Sequence, residues 1–109
     1  MGIKLTNNAV SLVPNAVTSV QTTLTVTAGT GARFPVLGAG DYFYATLSDV
    51  NNNFEIVKVT ARTDDVMTFV RAQEGTLAIP FPANSRFEHR ITAATIRAII
   101  DDADDYLLL

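Results

Sequence analysis

Polar and apolar positions alternate along most of the chain, most clearly through residues 54–75, FEIVKVTARTDDVMTFVRAQEG. Ile56, Val57, Val59 and Thr60 predict a strand from Phe54 to about Ala61, and Val66, Thr68, Phe69 and Val70 a second from Val66 to about Arg71. β-Branched and aromatic side chains fit a pleated, half-buried surface. Thr63-Asp64-Asp65 lies between them, with short polar side chains that bond their own backbone and stabilise a tight turn. The stretch therefore predicts an antiparallel hairpin to which neighbouring segments add as strands.

Residues 7–13 predict a short extended segment that Pro14-Asn15 breaks. Residues 22–27 have period two, with Leu24 and Val26 on one face and Thr23, Thr25 and Thr27 on the other. Ala28-Gly29-Thr30-Gly31 predicts a flexible turn, and its two glycines lack the strand-to-helix setting of a phosphate loop. Residues 42–47 predict a central strand, with Tyr42 and Tyr44 on one side and Phe43, Ala45 and Leu47 on the other. Residues 49–53 predict the loop into the hairpin. Past Gly75, Pro80 and Pro82 place residues 76–82 outside the sheet or along its edge. Leu77, Ile79 and Phe81 are expected to fold back as a lid. Residues 86–91 predict the last strand, with Phe87, His89 and Ile91 on one face and Arg86, Glu88 and Arg90 on the other.

From Thr92, a candidate N-cap, the period changes to that of a helix. Ile96, Ile99, Ile100, Ala103 and Leu107 recur at three- and four-residue steps and form one apolar stripe. The polar side holds Arg97, Asp101, Asp104 and Asp105. This helix contradicts two physical preferences. Asp101, Asp102, Asp104 and Asp105 crowd its second half, where the helix dipole disfavours negative charge. It then runs into Tyr106, Leu107, Leu108 and Leu109, and each such leucine left in water forgoes roughly 1.5–3 kcal/mol of burial free energy. The tip is therefore expected to tuck back onto the sheet or to dock on another chain. Candidate interface residues are Ile96, Ile99, Ile100, Ala103, Tyr106, Leu107, Leu108 and Leu109. Asp101, Asp102, Asp104 and Asp105 are candidate electrostatic contacts. The fold expected is mainly β, a small antiparallel sandwich or barrel of six or seven strands, with a β domain over 1–91 and a helical docking segment over 92–109.

Composition refines this picture. At 109 residues, 48% hydrophobic and 17% charged, the chain is one folded domain. The first 100 residues hold all 8 basic and 7 of the 11 acidic side chains, a net of +1, so the formal charge of −3 comes from the four helical aspartates. No basic run exists to bind nucleic acid. No cysteine is present, which excludes disulfides and thiolate metal sites. No stretch reaches the length of a membrane span, and Met1-Gly2 with Thr6 reads as an ordinary initiator rather than a lipidation signal. The aspartates lack the glycine bend and late glutamate of a calcium loop, so neither metal nor cofactor is expected. With one histidine, no cysteine and scattered glutamates Glu55, Glu74 and Glu88, catalysis is not expected. Glu74 is expected to bond backbone in a turn. A sugar-binding platform would use Tyr42, Tyr44 and Phe81, although core packing explains the same aromatics.

Four segments resemble a known family when taken together: residues 29–35 (GTGARFP), 38–47 (GAGDYFYATL), 55–62 (EIVKVTAR) and 70–76 (VRAQEGT). With residues 3–9 and 90–94 added, the set is similar to a small domain of tailed-bacteriophage virion proteins. That domain occurs at the particle-proximal end of tail fibres and as short stand-alone structural proteins. The resemblance covers residues 3–97 and implies a non-catalytic role in assembly, as an adaptor at the tail or fibre attachment site. A fibre would continue past Thr92 into a shaft, whereas this sequence stops at Leu109. The alternative is a decoration protein that clamps the head shell. Either way the expected location is the virion, assembled in a host cytoplasm. The partners would be other phage structural proteins and further copies of the chain, with no nucleic acid and no membrane.

Overall fold

The computed structural model describes residues 2–107, with side chains through residue 101. Its elements in chain order are β1 (Gly2–Ile3), β2 (Val10–Val13), β3 (Thr23–Thr25), a single 3-10 turn (Thr30–Arg33), β4 (Asp41–Ser48), β5 (Phe54–Thr63), β6 (Val66–Gln73), β7 (Ser85–Glu88) and α1 (Ala93–Leu107). The protein is mainly β, with one C-terminal helix. The strands form one sheet in the order β2-β7-β4-β5-β6-β3. Neighbours on this path are antiparallel, while β1 runs parallel to the start of β4.

The 54–75 hairpin forms the longest pairing of this sheet. Val59 faces Phe69 and Thr63 faces Val66, with Asp64-Asp65 as the turn. Asp64 adopts a φ of 52°, the left-handed conformation that aspartate tolerates in turns. Both strands run slightly past the boundaries expected from sequence. Two register shifts interrupt their ladder, and Ala72 takes a φ of 55° near its far end.

The twisted sheet curls until its end strands nearly meet. The Thr27 N–H, just past β3, donates to the Leu12 carbonyl of β2 at 3.0 Å. The Thr27 hydroxyl donates to the same oxygen at 3.2 Å. Arg33 donates to the Val10 carbonyl at 3.0 Å, so two outward carbonyls of β2 are occupied along the seam. Inside lie the period-two faces: Leu24 and Val26, then Phe43, Ala45 and Leu47, then Val57 and Val59, then Met67 and Phe69. Phe34 enters from the 3-10 turn and packs on Phe43 and Phe87, with ring centroids 5.9 and 5.3 Å away.

The turn expected to be flexible is instead pinned. The Asp65 carboxylate accepts the N–H groups of Gly29 at 3.0 Å and Gly31 at 2.8 Å. Those bonds hold its pKa below the usual carboxylate range. Gly31 is required for a steric reason, since a Cβ there would lie 2.0 Å from the Asp64 carbonyl oxygen.

Three further expectations need correction. The lid closes through Phe81, which is buried and bridged to Val17, and through half-buried Ile79; Leu77 stays 75% exposed. The last strand stops at Glu88, leaving Ile91 exposed. Glu88 was expected on the polar face but is buried, because its carboxylate is shared by Arg86 and Arg90. Burying Phe81 also removes it from any surface aromatic platform. Tyr42 and Tyr44 meet edge to face at 5.7 Å, with the Lys58 ammonium 4.4 Å from the centre of the Tyr42 ring.

Candidate docking site

The helix grows out of two polar anchors. Thr92 Oγ1 accepts the Thr95 N–H at 3.2 Å, which is the capping role expected of it. Glu74, in the turn just past β6 with a φ of 53°, accepts the Ala94 N–H at 2.9 Å. Two of the N–H groups left open at the helix start are thereby satisfied, and a carboxylate sits where the dipole favours one. Glu74 thus does bond backbone, and it ties α1 to the sheet.

Beyond the anchors the helix lies against β1 and β4. Among its described side chains those that are buried are small: Thr95 is fully buried and Ala94 and Ala98 are half-buried. The isoleucines are turned away. Ile96, Ile99 and Ile100 are 50%, 42% and 53% exposed. Residues 94, 95 and 98 occupy one arc of a 3.6-residue helix, and 96, 99 and 100 the arc around to the far side. This is the reverse of an amphipathic helix serving its own core. Each half-exposed isoleucine leaves roughly 1 kcal/mol of burial free energy unrealised.

The structure therefore brings Ile96, Ile99 and Ile100 together, with Asp101 exposed one residue further. The side chains of Asp102, Ala103, Asp104, Asp105, Tyr106 and Leu107, and the whole of Leu108 and Leu109, lie outside the described residues.

Two polar features stand apart from the helix, one an ion pair the sequence did not reveal and the other a histidine expected on the apolar side of its segment. Glu55 is fully buried and receives a two-pronged ion pair from Arg71, with Nε to Oε2 at 2.9 Å and Nη2 to Oε1 at 2.7 Å. Its oxygens also accept the Ala72 and Ile79 N–H groups. Arg71 uses its remaining donors on the carbonyls of Thr18, Gln21 and Ile79. Burial alone would raise the Glu55 pKa, but the guanidinium and the two N–H donors outweigh it and lower the pKa. Period two could have flagged both residues. Glu55 is in phase with Val57 and Val59, and Arg71 with Met67 and Phe69, so each sits at an inward position. The cluster is saturated internally and clamps four chain segments together: residues 18–21, β5, β6 and the segment at Ile79.

The second feature is His89. It is half-buried and packs tilted against Phe43, with ring centroids 5.0 Å apart. Neither ring nitrogen has a hydrogen-bond partner among the described residues. Burial lowers its pKa. Among the described residues no helix is long and apolar enough to cross a membrane. No known protein family matches the chain, and no curated protein matches it.

Proposed function

We propose that this protein is a non-catalytic structural component of a tailed-phage particle, an adaptor at the tail or fibre attachment site that docks through α1. The phage assignment comes from the combined segments at 29–35, 38–47, 55–62 and 70–76. The docking role is carried by one observation: among the described side chains of α1, Thr95 is buried and Ala94 and Ala98 half-buried, while Ile96, Ile99 and Ile100 are about half exposed. An exposed apolar stripe flanked by charge is the kind of surface a partner chain covers.

Electron microscopy of particles carrying a labelled copy of the protein tests the assignment. Label confined to the tail or to one vertex is the expected result. Label spread over the shell lattice would replace the adaptor with a decoration protein. Absence from particles would end the phage reading. Deleting residues 104–109 should leave the β domain folded and stop incorporation.

A further inference from the structure

The chain carries a second exposed surface whose chemistry complements α1. Along the seam, Val10, Leu12, Thr27, Thr30, Arg33 and Arg86 line a groove of about 510 Å³. Most of its exposed lining is apolar, and Leu12 is 45% exposed there. Arg33 donates one N–H to the Val10 carbonyl and is itself exposed. The Arg86 side chain is 56% exposed even while bonded to Glu88. Glu88 is shared with Arg90, so one carboxylate offsets two arginines and this end of β7 remains positive.

We propose that the partner of α1 is a second copy of this chain, whose seam groove receives the helix in a head-to-tail contact. The inference rests on the reading of α1 as a docking element and adds the identity of its partner. Charge decides between this arrangement and helix-on-helix pairing. A side-by-side pair of α1 helices would gather four aspartates from each copy, with only Arg97 on each as a counter-charge. Like charges at close range oppose association. The groove instead offers apolar contact for Ile96, Ile99 and Ile100 and two arginines for the acidic half of the helix. Two different patches then meet, so the contact is heterologous and propagates into a ring or an open chain.

Sedimentation of complementary variants tests this. Ile96→Ser/Ile100→Ser disables the helix and keeps the groove. Leu12→Asp/Arg86→Ser disables the groove and keeps the helix. An unchanged circular dichroism spectrum verifies folding, and Arg33→Ser replaces the second variant if it misfolds. Wild type should associate with rising concentration, more weakly in high salt. Each variant alone should be monomeric, with self-association weakened at least tenfold. The equimolar mixture should form a dimer, because one intact helix still meets one intact groove. A groove variant that associates like wild type, a mixture that stays monomeric, or a wild type monomeric at every concentration would each overturn the proposal. A monomeric wild type whose helix variant is still excluded from particles would sink this inference alone. A helix variant incorporated normally would sink the docking reading beneath it.

Discussion

Glu55 and Arg71 show how a single residue pair can define a small β protein. Every donor of the guanidinium and both carboxylate oxygens are engaged, and the cluster joins four separate segments. Removing one charge leaves the other buried and unpaired. Glu55→Gln should therefore cost about 3–5 kcal/mol of stability, measured by urea unfolding. Glu55 has a lowered folded-state pKa, so its contribution is complete above its ordinary value of 4.5 and is lost as pH falls below it. His89 acts at higher pH. Its folded-state pKa is lowered by burial, so the unfolded chain binds the extra proton first, and stability declines as pH falls below 6.5. His89→Phe should flatten the stability profile below about pH 6.5 while keeping the ring contact with Phe43. The alternation that placed Val57, Val59, Met67 and Phe69 inside also placed these two charges inside. What the sequence concealed was their pairing, which depends on register across a turn and two irregularities in the ladder.

At the scale of elements, the long hairpin and the central strand were legible, because each has a uniform period and local turn chemistry. The irregular pieces were not. Residues 28–33 contain glycines that suggest freedom, yet a carboxylate more than thirty residues away fixes them. Leu77 was expected in the lid, but the chain reaches the core only at Ile79 and Phe81, so Leu77 remains in solvent. The start of α1 was readable from Thr92, while its second anchor, Glu74, is a tertiary contact with no local signal. Thr92→Ala removes the capping oxygen and should cost about 1 kcal/mol of helix stability. Faster amide exchange across the first turn of α1, with exchange in β4 and β5 unchanged, is the expected readout. Equal loss of protection throughout the sheet would mean that helix and sheet unfold as one unit.

The whole molecule divides into a β body with its own closed core and a helix whose isoleucines lie outside that core. The body closes its own edge through Thr27, Arg33 and the β2 carbonyls, and its charged core pair needs no external partner. That closure is non-local and could not be read from any single segment, although the mainly β class with one final helix could. The helix spends its small residues on the sheet and presents its isoleucines to the surroundings. The stripe was legible from the helical period; its outward direction was not, since periodicity cannot say which face the sheet takes. The most direct test is the variant Ile96→Ser/Ile99→Ser/Ile100→Ser, compared with wild type for melting temperature and for incorporation into particles. Each substitution at these half-exposed positions should cost about 1 kcal/mol, a loss borne by the helix rather than by the core of the sheet. The expected variant keeps a folded sheet, melts only slightly below wild type and is missing from particles; a variant that incorporates normally, or one whose sheet unfolds because those isoleucines were part of the core, would contradict docking through α1.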